Sequence, residues 1–284
     1  MLRILLAVFV LFSSVRHSVS YRPVIVMHGV LAGASDMDSF VSMIKTAHPG
    51  TEVTDISDYN DANSLVNMND QVKGVYSKMK PVMDAAKDGV NLVCYSQGGL
   101  VCRGVLEKYG HNVHTFISLS SPQAGQFGDT DYLNFLFPTF TRDNIYLFFY
   151  TDAGQEISVG NYWNDPFHHS DYLSKNKFLP SITNNAPQEY KDNILKLQQV
   201  VFIGGPDDGV ITPWQSSHFG FYKEKSDSEI VTMTEQEYYT NDVIGLQTLN
   251  NAGKIKVYEI PGVEHTHWHT NQTVFNDAII QWLD

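Results

Sequence analysis

The stretch Asn91-Leu92-Val93-Cys94-Tyr95-Ser96-Gln97-Gly98-Gly99-Leu100-Val101-Cys102-Arg103-Gly104 decides how this chain is read. Asn91 to Tyr95 is a largely apolar run of strand length, and from Leu100 onward the apolar positions recur at helical spacing. A serine therefore stands on the turn between a buried strand and a helix, with two glycines close behind it. Such a turn lifts a hydroxyl to the top of a sheet and aims the unpaired N–H groups of the helix start at the same place. Glycine lets strand and helix approach closely there. This is the pattern of a nucleophile elbow, except that Cys94 occupies the position of the usual first glycine.

Working outward, Pro23 to His28 reads as a buried strand ending at Gly29. Asp36 is placed to cap a helix through Phe40, Val41, Met43 and Ile44, and Thr51 to Ile56 alternates as a strand. Val66 to Ala86 has helical spacing, which Pro81 is expected to kink or divide. After a helix over 98–109, Thr115 to Leu119 is another strand. This β-α-β-α-β-α-β order predicts a mostly parallel sheet with helices on both faces. The alternation lapses over residues 122–190, where fifteen aromatics fall among 69 residues, together with Pro138, Pro166, Pro180 and Pro187 beyond the opening Pro122. A structureless loop of that length is uncommon in a compact domain, so the segment reads as an inserted helical cap. Its Phe135, Phe137, Phe140, Phe148, Phe149 and Trp163 are candidate groove walls or the insertion's own core. Strands resume at Val200–Ile203 and Ile255–Ile260, and Val274 to Leu283 reads as a closing helix.

A serine hydroxyl needs a neighbouring base to become a nucleophile. In an α/β-hydrolase arrangement the partners follow in the order acid, then histidine, each just beyond a later strand. Asp207 and Asp208 both follow the strand at Val200–Ile203, and His265 follows the strand at Ile255–Ile260. Spacing leaves the choice between the two aspartates open. The oxyanion hole is expected from the backbone N–H of Gln97 and that of Val30, in the loop after the first strand. His265, His267 and His269 alternate, as metal ligands on an extended chain can, but no thiolate or carboxylate motif accompanies them and no metal is expected. His168 and His169 read as surface residues of the cap, and His28 as a residue that shapes its turn.

Residues 1–20 have a positive start, an unbroken apolar run from Ile4 to Phe12, and Ser18 and Ser20 at a small-x-small cleavage position. They read as a secretory signal peptide, leaving residues 21–284 as one α/β domain with its cap. No later segment has the length and polarity of a membrane span. Removal of residues 1–20 takes away Arg3 and Arg16 and no acid, leaving 17 basic and 31 acidic residues, a net charge of −14. Nucleic acid and anionic lipid are therefore unfavourable partners. Asn271-Gln272-Thr273 is the only glycosylation sequon. Cys94 and Cys102 are the only cysteines, and they are expected to be unpaired, buried small side chains.

Val24–Gly29, Cys94–Arg103, Phe116–Tyr132, Gly204–Ser217, Phe219–Tyr222 and the ending His265-Thr266-His267-Trp268-His269 together resemble the palmitoyl-protein thioesterases, over about residues 22–284. The match is to the second of that family's types, in which cysteine stands at the position of Cys94. The resemblance implies Ser96 as nucleophile, Asp208 rather than Asp207 as the acid and His265 as the base. It also implies hydrolysis of long-chain fatty-acyl thioesters in the lysosome without a cofactor, with a preference for small or coenzyme A-type thiol heads over bulky proteins. Histidine titrates near about pH 6.5 as a residue type, so such a base makes the rate rise from acid toward neutral pH. The rival readings are a carboxylester lipase with the same triad, and a lipid carrier whose triad is vestigial.

Overall fold

The computed structural model describes residues 21–284; the signal peptide expected over 1–20 lies outside the described residues. The strands are β1 (Val24–Met27), β2 (Val53–Asp55), β3 (Val90–Tyr95), β4 (Val113–Leu119), β5 (Gln199–Gly204), β6 (Phe221–Tyr222), β7 (Ile230–Val231) and β8 (Ile255–Glu259). Six of them form one parallel sheet in the order β2-β1-β3-β4-β5-β8, while β6 and β7 pair as a small antiparallel hairpin. The central strands are buried on both faces, which is why they read as nearly continuous apolar runs.

The helices flanking the first strands are α1 (Asp38–Ala47), α2 (Met68–Ala85) and α3 (Gln97–Lys108). Successive strand residues point to opposite faces, so the sheet divides its core in two. Val24, Val26, Val93, Ile117, Val201 and Ile203 pack with Phe40 and Ile44 of α1 and with Trp268, Phe275 and Ile279 near the C-terminus. Ile25, Met27, Leu92, Phe116, Val200 and Phe202 belong to the other core, with Val72, Val75 and Met79 of α2 and Val101 and Val105 of α3. Pro81 does not divide α2: it is exposed, while Val72, Val75, Met79 and Met83 keep a continuous buried stripe past it. The segment read as one closing helix is instead a short helix, α11 (Gln272–Val274), followed by a wide π turn over Phe275–Ile279 and a 3-10 turn over Ile280–Trp282. Between β8 and the hairpin lie α9 (Glu237–Thr240) and α10 (Leu246–Asn251).

The cysteines overturn their sequence reading: Cys94 and Cys102 form a disulfide, with Cα atoms 6.5 Å apart. Cys94 faces the α3 side of the sheet, and the sharp turn at Ser96 lays α3 back over β3, so Cys102 in its second turn meets Cys94. That separation falls inside the range a disulfide spans.

Between β4 and β5 the chain builds the insertion from α4 (Asp131–Leu136), α5 (Tyr146–Phe149), α6 (Ser158–Tyr162), α7 (His169–Lys175) and α8 (Gln188–Ile194). Most of the candidate wall aromatics pack on each other rather than on a groove. Phe137 meets Phe148 and Phe149, Phe140 stacks on Phe148, and Phe149 is fully buried against Trp163. Phe135 is exposed on α4.

Candidate active site

Ser96 sits between β3 and α3 with φ 53° and ψ −131°, a backbone region that residues other than glycine rarely adopt. The neighbouring glycines show what holds it there. A side chain at Gly98 would collide with the His28 carbonyl, and one at Gly99 with Ser121, so α3 starts in direct contact with the ends of β1 and β4. A Cβ at Gly29 would lie 2.8 Å from Ser96 Cβ and 3.2 Å from its Oγ. The loop after β1 is thus pressed against the serine. His28 is fully buried and holds this loop through contacts of its ring nitrogens with the carbonyls of Gly29, at 2.8 Å, and Asp58, at 3.2 Å.

Three distant parts of the chain meet at this turn. Ser96 Oγ is 2.9 Å from His265 Nε2. His265 Nδ1 in turn lies 2.9 Å from Asp208 Oδ2 and 3.1 Å from Oδ1. All three residues are buried. The backbone fixes the same pairing, because the His265 N–H donates to the Asp208 carbonyl at 2.8 Å and the Tyr95 hydroxyl donates to the His265 carbonyl at 2.8 Å. Asp207 points elsewhere: its Oδ2 accepts the N–H of Gly262 at 2.7 Å and steadies that turn.

Asp208 accepts more than the imidazole. The N–H groups of Val210 (3.1 Å) and Ile211 (2.7 Å) donate to Oδ1, and Trp268 Nε1 (2.6 Å) and the Ser120 hydroxyl donate to Oδ2. Burial by itself pushes this carboxyl upward. The hydrogen bond and charge of His265, with the donors from Ser120 and Ile211, outweigh it and hold the group below the usual carboxylate value. Ser120 is a second serine near the imidazole, 3.4 Å from Nδ1, but it is fully buried and its hydroxyl is given to Asp208. Ser96 is the serine that lines the cavity.

That cavity is about 280 Å³ and has two kinds of wall. Leu133 and Leu136 of α4, Val159 and Tyr162 of α6, and Trp163 supply an apolar side. Asp36, Thr266 and His269 supply a polar one. Val30 and Gln97 border the same space, and the backbone N–H of neither has a protein acceptor among the described residues.

Sequence reasoning missed Ser120, Trp268 and Tyr95. Trp268 stands in the C-terminal block that signals the family, but nothing in spacing says that its indole reaches an aspartate 60 positions away. The alternating histidines do not share a face, since His265 to His267 is a 3-10 turn. His267 is exposed, whereas His269 is buried beside Tyr95. His168 is half-buried rather than free on the surface, stacked on Tyr146 and 2.9 Å from Asp165.

A parallel sheet carrying a serine, a histidine and an aspartate in contact at its strand ends defines the α/β-hydrolase class. Among solved structures, Aspergillus fumigatus lipase B superposes with a TM-score of 0.52 at 15% identity, covering 91% of this chain and 52% of that one, a likeness of fold alone. The profile of the family Palmitoyl protein thioesterase matches residues 23–265. Lysosomal thioesterase PPT2 of Rattus norvegicus is 46% identical over 272 residues, spanning 94% of this chain and 89% of that protein. Lysosomal thioesterase PPT2-B of Xenopus laevis is 45% identical over 285 residues, 98% of both. The chain belongs to the palmitoyl protein thioesterase family and is an acyl thioester hydrolase.

Proposed function

We propose that the protein hydrolyses long-chain fatty-acyl thioesters through an acyl-serine intermediate on Ser96. The observation that carries this reading is the continuous contact from Ser96 Oγ through His265 to Asp208 at the edge of a half-apolar cavity. His265 Nε2 takes the hydroxyl proton as Oγ attacks the thioester carbon. The N–H groups of Gln97 and Val30 hold the carbonyl oxygen as it becomes negative. Collapse of the tetrahedral intermediate breaks the C–S bond, and the imidazolium returns its proton to the departing sulfur. Water then enters on the same histidine and releases the fatty acid. Asp208, fixed by four other donors, holds the imidazole tautomer and stabilises the imidazolium.

The acyl chain lies against Leu133, Leu136, Val159 and Trp163. Each buried methylene is worth about 0.8 kcal/mol before the costs of binding, so the apolar wall favours long chains. The lysosome is the proposed site of action. The reading of residues 1–20 as a secretory signal peptide, the disulfide and the lysosomal thioesterases among the relatives support it. Asn271 is the proposed glycosylation site. Its Oδ1 caps α11 by accepting the N–H groups of Thr273 and Val274, which leaves Nδ2 for the glycan.

The test is hydrolysis of palmitoyl-CoA and of a matched palmitoyl oxygen ester by the wild type, Ser96→Ala and Asp208→Asn. Loss of turnover in Ser96→Ala, a drop of about 10³–10⁴-fold in Asp208→Asn and faster cleavage of the thioester are expected. Undiminished turnover by Ser96→Ala rules the reading out, and a preference for the oxygen ester makes the protein a carboxylester lipase.

A further inference from the structure

The mechanism uses His265 but leaves unexplained the second buried imidazole of the same cavity. His269 lines the space that Ser96 and His265 open into, and it is nine-tenths buried. Its ring lies 4.7 Å from the ring of Tyr95, which in turn lies 5.2 Å from the ring of His265. Tyr95 is held in place by its hydroxyl bond to the His265 carbonyl, so the two imidazoles flank one fixed aromatic ring. Among the described residues neither nitrogen of His269 has a hydrogen-bond partner; Nδ1 is sealed, whereas Nε2 is not and can be reached. Leaving a buried polar group unpaired is costly. The unpaired Nε2 of a residue that lines the reactive cavity marks a place for a ligand atom.

The chemistry of the cavity says which part of the substrate that is. A fatty-acyl chain has no group to offer an imidazole and would desolvate Asp36, Thr266 and His269 without compensation. It therefore takes the apolar wall, and the polar wall is left for the thiol. We propose that His269 is a specificity-determining residue that hydrogen-bonds an amide of the departing thiol, in substrates built as S–C–C–NH–C(=O). Nε2, the ring nitrogen that is not sealed, donates or accepts according to the tautomer of the neutral imidazole, and so meets the amide's carbonyl or its N–H. Two sources share that skeleton: a cysteamine-type thiol such as the end of coenzyme A, and a cysteine within a peptide. The inference rests on the reading of Ser96 as nucleophile.

Three thioesters of one fatty acid separate the outcomes: those of N-acetylcysteamine, of N-acetylcysteine amide and of butanethiol, which lacks an amide. For His269→Phe, KM is expected to rise about five- to twentyfold on an amide-bearing thioester, with kcat within twofold and butanethiol thioester kinetics within twofold of wild type. His269→Gln, which keeps a donor and an acceptor, is expected to recover part of the lost affinity. A loss on the cysteamine ester alone assigns the site to cysteamine-type thiols, and a loss on the cysteine ester alone assigns it to peptides. Equal effects on all three esters, or no effect on any, overturn the proposal. Ser96→Ala run on the same three esters keeps the two readings apart: turnover that survives there refutes the nucleophile, whereas Ser96-dependent turnover indifferent to His269 refutes only this inference.

Discussion

Replacing Gly29 by alanine tests how tightly the loop after β1 holds the serine. The backbone there lies outside the left-handed region, so any effect is steric. The new Cβ would stand 2.8 Å from Ser96 Cβ, whereas non-bonded carbons settle at about 3.5–4.0 Å. One side must yield by roughly 0.7 Å. If Ser96 yields, a shift of that size can stretch the 2.9 Å contact with His265 Nε2 to about 3.6 Å, beyond a hydrogen bond. If the loop yields instead, the Val30 N–H leaves the oxyanion position proposed for it. A misplacement of about 1 Å costs roughly 10²-fold, and loss of one oxyanion donor costs about 10²–10³-fold. Between the two routes kcat should fall by about 30- to 1,000-fold, equivalent to roughly 2–4 kcal/mol. The assay is kcat on palmitoyl-CoA together with a thermal melt, and Gly110→Ala serves as control because nothing lies within 4 Å of its Cβ position. A folded Gly29→Ala protein with kcat within threefold of wild type would refute the contact argument.

Other expectations follow from the same geometry. Trp268→Phe removes a donor to Asp208 and should destabilise the fold by about 1.5–3 kcal/mol in chemical denaturation, before any packing loss. The Cys94→Ala/Cys102→Ala protein should lose about 2.5 kcal/mol of stability from loop-closure entropy, and equal denaturation midpoints would count against a formed bridge. His111 is pushed down to about 4 by burial, against an opposing hydrogen bond to the Asn193 carbonyl, and its Nδ1 accepts the Val113 N–H. A histidine whose folded value is depressed gives stability that is present above about pH 6.5 and lost as the pH falls toward 4, since only the unfolded chain then takes up the proton. The melting temperature of His111→Gln should therefore fall less than that of wild type between pH 6.5 and 4.5, and parallel curves would exclude His111 as a contributor.

The order of strands and helices, the serine on its turn, and the acid and histidine beyond later strands are all legible in the chain itself. They are consequences of local chemistry: apolar runs that must be buried, helical spacing, and glycines where backbones touch. The contacts at longer range are another matter. Whether Cys94 meets Cys102 depends on which face of β3 carries α3, and spacing alone does not say. That Asp208 rather than Asp207 faces the imidazole needs the family blocks or the fold, because adjacent residues differ only in direction. The aromatic segment could be recognised as an insertion, but only packing determined that most of its phenylalanines cover each other while Leu133, Leu136 and Val159 line the cavity. Sequence specifies which residues prefer burial and which can do chemistry; partner choice among them is set when distant segments compete for the same volume, and that competition exists only in three dimensions.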